Sequence, residues 1–180
     1  MTSTATATPA AMPAIASPKQ QFLDTFETEH GTTMRVLRAY PQDKSELQPH
    51  AKCKSARELA WVFVLEAGMA RIALTTGFDW SIPMPPMPPA PESMDAIISA
   101  LDDAHNGLAQ LIQHTPDERL FQTVKFPSGP GAIADVPILQ FLWFMLCDEI
   151  HHRGQFSIYL RMADGKVPSI YGPTLDEPWM

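Results

Sequence analysis

An all-α fold, a four-helix bundle with long connectors, is what this sequence predicts, on three observations. Four segments of about 20 to 28 residues carry apolar side chains at helical spacing. Connectors rich in proline or turn residues separate them. The last segment also carries ionisable and polar residues along one stripe, as the facing helices of a bundle do when they build a site.

The chain opens with Met1 to Pro18, rich in Ala, Thr, Ser and Pro and without Lys or Arg before Lys19. It lacks the basic start and apolar stretch of a secretory signal. Residues 1–18 therefore read as a disordered tail, and residues 19–180 as one bundle domain. The first helix runs from about Pro18 to Ala39, with Phe22, Phe26, Thr33, Val36, Leu37 and Tyr40 on a stripe that Gly31 weakens. Pro41 closes it, and 42–49 is a polar linker.

The second helix spans Ser55 to about Thr76. Ser55 with Glu58 three residues on is a capping box, and Gly77 is a natural stop. Leu59, Val62, Phe63, Glu66, Met69, Ala70 and Ala73 follow helical spacing between them. Between Ile82 and Pro91 proline occurs six times, so this stretch is a stiff extended connector. It is long enough for a crossover instead of simple up-down order.

Ser93 caps a third helix, Met94 to His114, with Ile97, Ile98, Leu101, Ala104, Leu108 and Leu111 on one side. Leu120 to Phe126 alternates and suggests a short extended segment, followed by the turn cluster 127–131. The fourth helix starts near Asp135, places Pro137 in its first turn and runs to about Met162 before Asp164-Gly165. The remaining tail has no period, but Tyr171 and Trp179 are large enough to pack down.

Composition narrows the function. A formal charge of -7, a sequence pI near 5.2 and 13 scattered basic residues argue against nucleic-acid binding. The longest apolar run, Phe141 to Cys147, is far shorter than the roughly 18 to 20 residues that cross a membrane. Cys53 and Cys147 make neither a disulfide framework nor a zinc motif. Buried or incidental thiols in a reducing cytoplasm are the expectation.

On the fourth helix Phe141, Met145, Asp148, His152, Gln155 and Tyr159 share a stripe. Asp148 and His152, one turn apart, could grip one metal ion or form a hydrogen-bonded couple. His151 lies off the stripe, with Cys147 one turn before it. His30, His105 and His114 are isolated and read as surface histidines. Arg153 reads as a structural ion pair, with an anionic ligand as its alternative partner. Trp61, Trp80, Trp143 and Trp179 read as core or interface anchors.

The run Asp148-Glu149-Ile150-His151-His152-Arg153-Gly154-Gln155, with Tyr159-Leu160-Arg161 and the 168–173 sequence Pro-Ser-Ile-Tyr-Gly-Pro, resembles the DinB-like family of metalloenzymes. Weaker likeness extends to 22–40, 49–52 and 55–61. The resemblance implies a four-helix bundle, often homodimeric, with a divalent metal (Zn, Ni, Mn or Fe) at one end. It implies a site of three histidines, one from the second helix and two at i,i+4 on the fourth. The best-understood members are thiol-dependent transferases and isomerases, and many have no assigned activity.

Carried onto this chain, His152 matches the second histidine of the fourth helix and Asp148 stands in place of the first. Val62 stands where the second-helix histidine belongs and cannot ligate. Glu66, one turn on, is the expected substitute, because Glu58 is engaged as a cap; His50 precedes the helix. The expected metal set is therefore Glu66, Asp148 and His152, with Gln155, Tyr159 and Arg153 lining a ligand pocket. Two functions stay open: a metal-dependent (thiol) transferase or hydrolase-like enzyme with a degenerate site, or a metal-free small-molecule-binding or dimeric interaction bundle.

Overall fold

The Ser17 hydroxyl accepts a hydrogen bond from the Gln20 amide, and Pro18 supplies the preset φ of a first turn, so α1 (Pro18–Arg38) begins there. The computed structural model describes residues 16–180, so the expected disordered tail lies almost wholly outside the described residues. A short 3-10 turn, Gln42–Lys44, follows.

At the start of α2 (Ala56–Leu74) both halves of the capping box form: the Ser55 hydroxyl accepts from the Glu58 amide, and the Glu58 carboxylate accepts from the Ser55 amide at 2.8 Å. Gly77 ends this region with φ +69°, a left-handed conformation that glycine adopts without steric cost. Ser93 caps α3 (Met94–His114), and a single turn, α4 (Asp117–Leu120), leads into a hairpin of β1 (Thr123–Gly129) and β2 (Ala132–Pro137). The last helix is α5 (Ile138–Met162).

The hairpin corrects the expected start of the fourth helix. Asp135 and Val136 belong to β2, opposite Lys125 and Val124, and Pro137 is the N-cap of α5. Proline disfavours helical backbone in the residue before it, and two β-branched valines face each other across the ladder. The expected extended segment is likewise shifted, because Leu120 ends α4 and the strand begins at Thr123.

The four long helices enclose two apolar clusters. One gathers Phe22, Phe26, Ala70, Leu74, Leu108, Ile112, Phe141 and Leu142; the other Leu37, Tyr40, Leu59, Phe63, Ile97, Leu101, Phe156 and Leu160. Helices α1 and α5 therefore run from the first cluster to the second, while α2 and α3 run back. Each of α1 and α5 packs against α2 or α3: α1 meets α3 and α5, and α2 meets the same two. Neighbouring α2 and α3 are parallel, so residues 75–93 must return along the bundle, about 30 Å for a helix of this length. The crossover is pinned at both ends, by the Trp80 indole donating to the Lys125 carbonyl and by Trp61 and Arg57 donating to Pro88 and Ala90 carbonyls at 2.8 and 2.9 Å.

The C-terminal tail packs down, but not by burying Tyr171 and Trp179, which were expected to do so and are both exposed. Val167 and Ile170 lie against the second cluster, Arg161 pairs with Asp176 at 2.6 Å, and the Trp179 indole donates to the Ser169 hydroxyl. Cys53 and Cys147, expected to be buried or incidental, are both free and exposed. No helix among the described residues is long and apolar enough to cross a membrane.

Candidate metal centre

Between the two apolar clusters lies a layer of buried polar side chains. Each long helix contributes at mid-length: Glu29, His30 and Thr33 from α1, Glu66 from α2, His105 from α3, and Glu149 and Arg153 from α5. Ionisable groups in such a place need partners, because transfer from water without them is costly. The layer answers this with three linked sets.

The first set is the candidate centre. Glu66 on α2 meets Asp148 and His152 on α5, with one ligand atom from each lying within 4.8 Å of the others. His152 Nδ1 is 2.7 Å from Glu66 Oε1 and 4.0 Å from Asp148 Oδ1. The i,i+4 spacing of Asp148 and His152 stacks them on the shoulder of α5 that faces α2. Burial, reinforced by the charges of Asp148 and Glu149, pushes the Glu66 carboxyl up to about 9. Burial also lowers the His152 pKa, against the pull of Asp148. Both shifts favour a neutral acid beside a neutral imidazole when no cation is present. Glu66 Oε2 is buried without a partner among the described residues. Two carboxylates and an imidazole suit Zn, Mn, Fe or Ni, so the donor set fits a divalent metal.

The arrangement stands at mid-height of the bundle, between the clusters, whereas the resemblance implied a site at one end. Val62 is half-buried one turn before Glu66, and Glu58 is held in the capping box. His50 is exposed, its Nδ1 bonded to the Lys52 amide.

The expected pocket residues are placed elsewhere. Arg153 is 1% exposed and donates to Glu29 Oε2 at 2.6 Å, to Thr33 Oγ1 at 3.2 Å and to the Tyr171 hydroxyl at 2.5 Å. It is the structural ion pair that its sequence context suggested. Gln155 is exposed beside His151, 2.8 Å from its Nε2. Tyr159 is buried in the second cluster and donates to the Lys54 carbonyl. The stripe divides because the inward line of α5 runs through Leu146, Glu149, Arg153, Phe156 and Leu160, leaving Asp148, His152 and Gln155 on its edge.

The third set corrects the expectation of surface histidines. His30 and His105 are buried and stack with ring centroids 3.7 Å apart. His30 Nε2 meets Asp102 at 3.0 Å, and His105 Nε2 meets Glu27 at 3.0 Å. Only His114 of the three is exposed. The pattern Leu101–His105–Leu108–Ile112 carried the signal, since it sets His105 on a buried stripe. Glu29 and Glu149 were also missed as inward polar positions, whereas Thr33 stood on the expected stripe of the first helix and is buried.

The chain is 26% identical over 163 residues to the uncharacterized protein YrdA of Bacillus subtilis strain 168, covering 87% of this chain and 89% of that protein. In structure it is similar to a DinB-like protein from Bacillus cereus, with a TM-score of 0.70 and 19% identity over 84% of this chain and 97% of the other. A DinB-like protein from Bacillus subtilis, YjoA, superposes with a TM-score of 0.63 and 15% identity over 89% and 99% of the two chains. At these identities the structural likenesses speak for the fold. The family model for the DinB family matches residues 12–179, nearly the whole chain, and the protein belongs to that family.

Proposed function

We propose that this protein binds one divalent metal through Glu66, Asp148 and His152 and transfers a group to or from a small molecule there, a thiol being the expected nucleophile. The observation that carries the reading is the convergence of three ligand residues from two helices within 4.8 Å. In that role Glu66 replaces the ligand that Val62 cannot supply. A divalent ion held there supplies a Lewis acid that lowers the pKa of a bound thiol or water. Glu66 from α2 and Asp148 and His152 from α5 would hold it, while Phe63, whose ring meets His152 edge-on, walls one side of the imidazole. The donor set suits Zn, Ni, Mn or Fe.

Elemental analysis of untagged protein beside His152→Ala is the test. One metal per chain in the parent and none in the variant is the expected outcome. No metal after incubation with all four ions would sink the proposal. The second reading, a metal-free ligand-binding bundle, is favoured by the direct Glu66–His152 contact at 2.7 Å, which closes the site without a cation.

The same reading includes a homodimer in the cytoplasm. Its support is the outward stripe of α5, where Phe144 is 50% and Ile158 60% exposed, with Met162 beyond them. The free, exposed cysteines suit a reducing compartment. Phe144→Glu combined with Ile158→Glu is expected to halve the mass measured by light scattering on a size-exclusion column. An unchanged mass would remove this face from the assembly.

A further inference from the structure

Beside Glu66 the polar layer lines a small cavity of about 20 Å³, to which His152 does not contribute. One ionisable side chain from each long helix lines it: His30, Glu66, His105 and Glu149; the rest of the wall is apolar, including Phe26 and Leu108. Two polar atoms, Glu66 Oε2 and His105 Nδ1, are buried without a hydrogen-bond partner among the described residues. Both belong to residues of this one wall. Glu66 is 8% exposed and His105 2%, so neither reaches bulk solvent to be satisfied.

Size and chemistry together identify the occupant. A space of at least about 10–15 Å³, with two or more polar partners, holds one water molecule. His105 Nε2 faces the Glu27 carboxylate at 3.0 Å, so the ring proton resides on Nε2 and Nδ1 presents a bare lone pair. An occupant must therefore donate to His105. The cavity's ionisable residues do not form a second metal cluster, since among the described residues only Glu66, Asp148 and His152 bring three ligand atoms together.

We infer that a single ordered water sits in this cavity, donating one hydrogen to His105 Nδ1 and bonding with its oxygen or second hydrogen to Glu66 Oε2. The water joins Glu66 to His105 and, through the His105–Glu27 pair, to the surface where the Glu27 side chain is 75% exposed. It fixes the rotation of the Glu66 carboxyl and so the aim of Oε1 at His152. His105 is then a positioning residue, acting on the candidate centre through the water without touching it. The inference concerns the metal-free protein and does not depend on the metal reading.

A crystal structure of the metal-free protein beyond about 1.8 Å resolution tests the site, with His105→Leu and His105→Asn beside the parent. One density peak within hydrogen-bond distance of both atoms is expected in the parent. It should be absent in His105→Leu and present in His105→Asn, whose amide oxygen stands close to the Nδ1 position. An empty cavity in the parent, or a rotated Glu66 bonded directly to His105, overturns the inference. The positioning role has a separate readout in the nitrogen NMR shift of His152 Nδ1. That shift should move in the leucine variant and return in the asparagine variant, whereas a structural role alone would leave it unmoved in both. If the leucine variant does not fold, the parent density and the asparagine variant decide.

Discussion

Arg153→Met is expected to lower stability by about 3–5 kcal/mol, the usual cost of leaving a buried charge without its partner. The Arg153 side chain is almost wholly enclosed, and its two terminal nitrogens are shared among Glu29, Thr33 and Tyr171. Without it the Glu29 carboxylate keeps only the Tyr171 hydroxyl, at 2.8 Å. Thr33 would still bond Glu149 at 2.8 Å, so the damage centres on Glu29 and on the tail that Tyr171 anchors. Urea unfolding should show a lower midpoint at unchanged slope. Replacing both partners, Arg153→Met with Glu29→Leu, should recover most of the loss, because an apolar pair of similar volume needs no counter-charge. A loss below about 1 kcal/mol for the single variant, as at an exposed ion pair, would mean that the set is not the fastening described. Arg153→Lys should rescue little, since an ammonium cannot reproduce the planar fork that serves several acceptors at once.

The second large effect has the opposite sign. Glu66→Gln is expected to stabilise the metal-free protein at pH 7 by on the order of 3 kcal/mol. The Glu66 carboxyl stands near 4.5 in the unfolded chain and is pushed up to about 9 in the fold. Between those values the folded chain holds a proton that the unfolded chain has released. Stability of the metal-free parent therefore falls as pH rises from about 4.5 to about 9 and levels off above the folded value. Glutamine keeps the shape, carries no titrating proton and removes this slope. Thermal and urea unfolding from pH 5 to pH 9, with a chelator present, make the comparison. A variant that is no more stable, or a parent with a flat profile, would contradict the burial argument. A side chain whose removal strengthens the fold points to a role other than folding, as sites commonly sacrifice stability for function. The same change should abolish metal binding by the parent's ligand set, since it takes away one anionic donor.

The helices were legible because their signals are local. Ser55 and Ser93 announce two starts within a few residues, and the Ser55–Glu58 box forms as its spacing requires. The crossover was legible as a capacity of the proline-rich connector, but its path depends on the parallel packing of α2 and α3. The hairpin was missed because its second strand, 132–137, leads straight into α5, and apolar spacing around Pro137 reads as helix until Val124 and Val136 are paired. At the site, Asp148 and His152 were legible from one helix, and Glu66 from its place one turn after Val62. Glu29, His30, His105 and Glu149 were hidden for a common reason. Each lies in a locally polar stretch, such as Glu27 to Thr33 or Asp102 to Asn106, and what makes it tolerable in the interior is a partner on another helix. Spacing along one segment does not reveal such a partner, although the 101–112 stripe did place His105 inward.

The position of α5 has a consequence for biosynthesis. This helix walls both apolar clusters, with Ile138 to Leu146 in one and Phe156 to Leu160 in the other. It also brings Arg153 to the Glu29 carboxylate, across most of the chain's length. Until α5 has left the ribosome, three helices present an open trough of leucine and phenylalanine with the Glu29 carboxylate unpaired at its centre. The bundle is thus committed to folding only after α5 has been made, and its window of exposure to aggregation or to chaperones closes when α5 docks.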